Sequence, residues 1–314
     1  MRKAEGFGVT VHRRALYVRL RIPGKHITVV FCCPTAWLSR LMKKDVVFVV
    51  GATRWGTSWV QQCLDTHPKV VCKGEGHYTD SLFPGLAKLV DQYNQDAEKI
   101  GNRMQLAGLP GNAAGFTFDD VEHLMRTAVM LMFNRWVPED VEDEVTCIGE
   151  KTPEHVLSLE LLDRLFPGMR IVHVVRDGRD EAAGAWDFNM GISRGEFPRR
   201  YPSFADFAET FARNWSRSVG AARRFGRLNR SRYYQIRAED VVEEPSPIVR
   251  RLFRFCDVED REDLVQAGIR RAHQIAPLDL DPGVWKNRFD PDATKRFHRQ
   301  SGELLKLLDY AVTE

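Results

Sequence analysis

The chain has 314 residues, 43% of them hydrophobic and 28% charged, with a formal net charge of +3. That length accommodates one large α/β domain or two smaller ones, and the balance excludes a disordered or collagen-like chain. The charge is uneven: residues 1–44 carry ten Lys or Arg against Glu5 alone, about +9, which leaves about −6 for the rest.

The basic segment 1–44 reads as an amino-terminal extension, with a domain over 45–314. Such a segment suits an anionic lipid surface or an acidic glycan, or serves as a solvated tail. No nucleic-acid partner is expected. Within it, Ile27–Leu38 is apolar but twelve residues long and broken by Pro34, too short to cross a bilayer. A strand or partly buried arm is the expectation there, with a peripheral membrane contact as the alternative. Cys32, Cys33, Cys63, Cys72, Cys147 and Cys256 show neither C-x-x-C spacing nor a neighbouring zinc-type histidine pair. That pattern predicts no metal site and a reducing, cytoplasmic setting. Nothing in the pattern specifies an oligomeric state.

The remaining chain alternates strands and helices. "DVVFVV" (Asp45–Val50) is a buried-strand run, followed by the glycine loop "GATRWGTSWV" and a helix that His67 and Pro68 cap and stop. "KVVCK" (Lys69–Lys73) is a second strand, with helices expected over 81–98 and 119–136. "TCIGEK" (Thr146–Lys151) is a third strand, and Pro153 opens a helix that runs to Leu165 and includes His155. "RIVHVV" (Arg170–Val175) precedes a helix from about Arg179, and 189–202 reads as a loop. A long helix over 204–225, the strand "YYQIR" (Tyr233–Arg237) and helices over 245–256, 261–272 and 291–309 follow, with 275–290 irregular. This alternation predicts an α/β fold, a parallel sheet with helices on both faces, whose ligands bind at the carboxyl ends of the strands.

Two of those ends are cationic. In the loop, Gly51 and Gly56 keep Walker A spacing and Ser58 keeps its hydroxyl position, but Thr57 replaces the lysine and Arg54 supplies the charge. A strand, a glycine turn and a helix start aim backbone N–H groups and a helix dipole at one anion. "VVRDGRD" places Arg176 directly after a core strand, where packing alone does not favour an arginine. The bland alternatives are a ligand-free turn for the first and an Arg–Asp helix cap for the second.

These segments resemble the sulfotransferases that use 3′-phosphoadenosine 5′-phosphosulfate (PAPS). "GATRWGTSW" is similar to their 5′-phosphosulfate loop and "RIVHVVRDGRD" to their 3′-phosphate motif. "GEKTPEHV", "RAEDVVEEP" and "GVWKNRF" follow in the family's order. The resemblance covers roughly 45–310 and implies a P-loop-like core with PAPS as co-substrate and no metal for charge neutralisation. It implies that Arg54 holds the phosphosulfate, with Trp55 beside it in the loop, and that Gly56, Thr57 and Ser58 cradle the 5′-phosphate. Trp59 matches a tryptophan that packs on adenine, or is a buried helix residue. Arg176 would bind the 3′-phosphate, while Gly184 stands where the family commonly has a serine. The acids of "LDLDPGVW" replace a common Arg-Lys-Gly, which leaves Lys286 or Arg288 to assist, and Ala238 stands where many members have an aromatic residue.

"GEGHY" is expected to supply the proton acceptor, or is a purely structural loop. Glu75 matches a glutamate base of glycan-modifying members, and His77 competes through its near-neutral pKa. Lys151 matches a lysine near the transferred sulfonate, or is a surface lysine paired with Glu150 or Glu154. The expected acceptor is a small-molecule, lipid or carbohydrate hydroxyl or amine, with peptide tyrosine also open. A small-molecule kinase and a non-catalytic nucleotide-binding relative are the rival readings.

Overall fold

The computed structural model describes residues 8–12, 15–22, 25–31, 40–51, 56–111, 114–278 and 282–312. Three strands, β1 (Gly8–His12), β2 (Ala15–Ile22) and β3 (Lys25–Phe31), pair antiparallel in the order β1-β2-β3. The strand expected within Ile27–Leu38 is present as the second half of β3; residues 32–38 of that stretch lie outside the described residues.

Five strands form the second sheet, all parallel: β4 (Asp45–Gly51), β5 (Val70–Gly74), β6 (Cys147–Lys151), β7 (Arg170–Val175) and β8 (Tyr233–Arg237). Their order is β5-β6-β4-β7-β8, so β4 is central. Side chains alternate across it. Val47 and Val49 enter one core with Val172 and Val174, and Phe48 and Val50 enter the other with Ile148 and Ile171. Each face is apolar, which is why the strands read as continuous hydrophobic runs.

One face is covered by α1 (Thr57–Thr66) and by the two helices over 245–255 and 262–275, and the other by helices from the middle of the chain. These include α2 (Phe83–Leu106), α3 (Phe118–Trp136) and α4 (Leu159–Leu165). The helix expected from Pro153 to Leu165 is split into a 3₁₀ segment (Pro153–Ser158) and α4, because Pro153 starts a tighter turn with no side-chain cap. After β7 comes α5 (Gly178–Ile192), and the stretch 189–202 is not all loop: α5 runs into it and α6 (Glu196–Arg200) follows Gly195. Then come α7 (Phe204–Leu228), α8 (Ala238–Glu243), α9 (Pro245–Phe255), α10 (Glu262–Ile275) and α11 (Pro291–Leu307). The stretch 275–290 contains a 3₁₀ turn, Val284–Asn287. Among the described residues, no helix is long and apolar enough to cross a membrane.

All five strands of this sheet end on one edge. Adjacent strands sit about 4.8 Å apart, so the ends of β5 and β7, three places apart in the order, lie roughly 14 Å from each other. That edge carries Gly51, Glu75, Lys151 and Arg176.

Candidate active site

At the centre, β4 turns into α1 through two glycines in left-handed conformations, Gly51 with φ 119° and Gly56 with φ 93°. A Cβ on Gly51 would stand 2.1 Å from the carbonyl oxygen of Val174, so the neighbouring strand leaves room only for hydrogen. Gly56, not Thr57 or Ser58, is the N-cap of α1, and no side chain caps it. The helix therefore opens with backbone N–H groups and the positive end of its dipole at the sheet edge. Thr57 is buried and Ser58 half-buried. Trp59 is fully buried in the core beneath α1, its ring 5.6 Å from that of His273. Arg54 and Trp55 lie outside the described residues.

Next to it, β5 and β6 deliver a row of charges. Gly74 pairs with Lys151 in the sheet register, and the next residue, Glu75, accepts a hydrogen bond at Oε1 from Lys151 Nζ. Lys151 is 6% exposed and faces this partner, not Glu150 or Glu154 across a solvated surface. Glu75 Oε2 lies 3.3 Å from His77 Nε2, and His77 Nδ1 lies 2.9 Å from Asp80 Oδ2. The order is Lys151, Glu75, His77, Asp80, alternating in charge. Partial burial raises the Glu75 carboxyl, but the Lys151 hydrogen bond and charge, with His77 adding, hold it below the ordinary range. Asp80 does the reverse for His77 and raises its imidazole above the usual value. His77 has φ 47°, a left-handed conformation uncommon for a residue with a side chain and found where surroundings enforce it. It begins a π turn, Tyr78–Leu82. Asp80 was missed by the sequence reading, although E-x-H-x-x-D spacing on one turn was available as a signal.

Behind this row the structure places His155, expected only as a helix residue, with no solvent exposure and Nδ1 2.9 Å from Thr79 Oγ1. Glu150, equally buried, lies beside it with Oε2 3.2 Å from His155 Nε2.

On the other side of β4, Arg176 follows β7 and is 2% exposed, so an external anion reaches it only by displacing its present cover. The helix-capping role falls to its neighbours: Asp177 accepts from the backbone N–H of Arg179 at 2.9 Å and binds the Arg179 guanidinium at 2.7 Å. Arg179 lies 4.1 Å from the Trp285 ring centroid, a cation–π contact. Asp180 accepts the backbone N–H groups of Gly283 and Trp285, each at 2.9 Å, and so ties the "GVW" turn to the start of α5. Burial pushes the Glu181 carboxyl up to about 8, with Arg176 working against the rise. Gly184 is half-buried on α5. Arg288 is ion-paired with Asp187, Lys286 is exposed, and Ala238 is buried at the start of α8. A cavity of about 130 Å³ behind Gly51 is lined by His173, Glu181, Asn214 and Ser218. A cavity of about 970 Å³ runs along α11, by Thr294 and His298, and includes none of the strand-end residues above.

A central strand followed by a glycine turn and a helix start, in a parallel sheet ordered β5-β6-β4-β7-β8, defines a P-loop-like α/β protein. The chain belongs to the Sulfotransferase family, whose profile matches residues 46–263. It is 28% identical over 134 residues to Protein-tyrosine sulfotransferase A of Caenorhabditis elegans, a match covering 42% of this chain and 30% of that one. It is 24% identical over 220 residues to an uncharacterised protein of Aquifex aeolicus, covering 69% of this chain and 26% of that one. The matched stretches thus span under a third of these relatives' own lengths. The fold is shared with the sulfotransferase domain of the Synechococcus PCC 7002 olefin synthase, at TM-score 0.50 and 16% identity, covering 86% of this chain and 97% of that domain. A Mycobacterium avium sulfotransferase gives TM-score 0.50 and 16% identity, covering 86% of this chain and 78% of that one.

Proposed function

We propose that the chain moves a sulfonate group from PAPS to an acceptor hydroxyl or amine by in-line displacement and releases 3′-phosphoadenosine 5′-phosphate (PAP). The observation that carries this reading is the buried Lys151 paired to the partly exposed Glu75, one strand away from a helix that starts on glycine-turn amides. A nearly buried lysine at a strand end supplies positive charge where an anion reacts, and an accessible carboxylate beside it can take a proton.

In this reading Glu75 removes the acceptor proton as the acceptor atom bonds to sulfur. The bond from sulfur to the 5′-phosphate oxygen breaks, and Lys151 with Arg54 offsets the charge on the oxygens. The start of α1, with Gly56, Thr57 and Ser58, holds the 5′-phosphate, and Arg176 holds the 3′-phosphate. His77, oriented by Asp80, stabilises the carboxylate of Glu75 rather than competing with it, because Asp80 raises its pKa and so extends the cationic form to higher pH. Residues 45–314 form the catalytic domain in this account. The acceptor is a small-molecule, lipid or carbohydrate hydroxyl, and the basic segment 1–44 docks to an anionic surface; unchanged vesicle and heparin binding on its deletion would contradict the docking role.

The test is calorimetry with PAP and with ATP–Mg²⁺, beside a labelled-PAPS transfer screen over acceptor classes. PAP binding tighter than ATP–Mg²⁺ with transfer to one class supports the reading. The reverse preference supports a kinase, and no heat with PAP contradicts nucleotide-dependent sulfonate transfer.

A further inference from the structure

We propose that Glu150 is the positioning residue for Glu75: its buried carboxylate anchors the backbone of the loop that carries the base. The inference rests on the reading of Glu75 given above. Glu150 has no solvent exposure, and its side chain contacts no lysine or arginine among the ion pairs of the described residues. A carboxylate so placed costs several kcal/mol in desolvation, and an apolar residue would pack more cheaply.

What it holds is the loop. Oε1 accepts the backbone N–H of Gly76 at 2.6 Å and the Thr152 hydroxyl at 2.5 Å, and the same Thr152 oxygen faces the backbone N–H of His77 at 3.4 Å. Oε2 lies 3.2 Å from His155 Nε2, and His155 Nδ1 lies 2.9 Å from Thr79 Oγ1. Glu150 Oε2 and His155 Nε2 are in close contact without hydrogen-bond geometry, and it is Nδ1 that makes the hydrogen bond holding Thr79. The Tyr78 ring stacks on His155 at 5.6 Å and underlies Gly76, where a Cβ would come within 2.4 Å of the ring. Residues 76 to 79 are thereby gripped one after another from Glu150, Thr152 and His155. Glu75 itself is left to Lys151 and His77, its side chain 40% exposed. A loop fixed at each following residue points its one accessible carboxylate in a single direction, and a displacement of about 1 Å at a reacting group costs on the order of 100-fold in rate.

The experiment compares Glu150→Leu, Glu150→Gln, Glu75→Gln and the Glu75→Gln/Glu150→Leu double variant of the full chain. The readouts are labelled-sulfonate transfer, PAP calorimetry, melting temperature and amide hydrogen exchange. Leu removes the acceptor while filling the space, so the fold and PAP affinity persist while kcat falls roughly 10- to 100-fold. Gln still accepts from Gly76 and Thr152 and stays within about threefold of wild type. The double variant is no slower than Glu75→Gln, because Glu150 acts through that residue. A wild-type kcat in Glu150→Leu, or multiplied losses in the double variant, overturns the proposal. If Glu150→Leu does not fold, Thr79→Val decides: a loss of about 3- to 10-fold that vanishes in the Glu75→Gln background supports the proposal, and an unchanged kcat overturns it. Exchange separates this failure from failure of the sulfonate-transfer reading. The Gly76 and His77 amides exchange at least about tenfold faster in Glu150→Leu if the grip is real, whether or not any acceptor is sulfonated.

Discussion

Glu75 and Lys151, 76 residues apart in the chain, meet as an ion pair across neighbouring parallel strands, because the register places Gly74 beside Lys151. The pair sets the protonation state of the proposed base. Burial raises the Glu75 carboxyl and Lys151 lowers it, with the lowering dominant. The acid limb of the kcat/KM profile therefore falls below the ordinary glutamate value of about 4.3. Lys151→Met leaves burial as the main influence and moves that limb upward. A limb that stays put in Lys151→Met would show that Glu75 is not the titrating group.

His77 is held the opposite way. Asp80 raises its pKa, so the histidine titrates above its usual value of about 6.5. The pairing is fully present below that value and is lost as pH rises through the raised one. Asp80→Asn should return the His77 ring resonances to an ordinary midpoint, and it should destabilise the protein more at about pH 5.5 than at about pH 9. An NMR titration of the ring protons checks the first, and denaturant melts at the two pH values check the second. An unchanged midpoint contradicts the Asp80 contact.

Glu181 carries a raised pKa of about 8, caused first by burial and opposed by Arg176. The folded state keeps this proton where the unfolded chain has lost it. Its contribution is complete below about 4.3 and declines as pH rises toward the folded value. Glu181→Gln is neutral throughout, so its stability relative to wild type should increase between about pH 5 and pH 9, by on the order of a few kcal/mol. Parallel pH–stability curves for the two proteins would refute the buried-acid assignment.

Asp180 binds two backbone N–H groups of the turn at Gly283 and Trp285. Asp180→Ala orphans both, at a cost of about 1–3 kcal/mol each if they stay buried. Faster hydrogen exchange confined to 283–285, with weaker PAP binding, is the expected result. Unchanged exchange there would mean the turn is held by other contacts, such as the Arg179–Trp285 stack.

The parallel sheet was legible because a strand buried on both faces must be apolar throughout, as "DVVFVV" and "RIVHVV" are. Lys151 and Glu75 were legible as strand-end residues, since ligand chemistry gathers at that edge. Their pairing was not, because it depends on register. His155 looked like one more helical residue: its partners Thr79 and Glu150 come from other elements, and local pattern carries no such information. The antiparallel sheet β1–β3 was largely missed for another reason. "YVRLRI" alternates as a strand should, but the segment's charge drew the reading toward a tail. In 189–202, Gly, Pro and Arg argued for a loop, whereas the left-handed Gly195 is the cap that starts α6.

The most direct test of the account is transfer of labelled sulfonate from PAPS by wild type and Glu75→Gln, measured beside PAP calorimetry on both. Wild type should turn over, and Glu75→Gln should lose at least about 100-fold in rate, with PAP affinity unchanged. Wild-type turnover in Glu75→Gln would contradict the account.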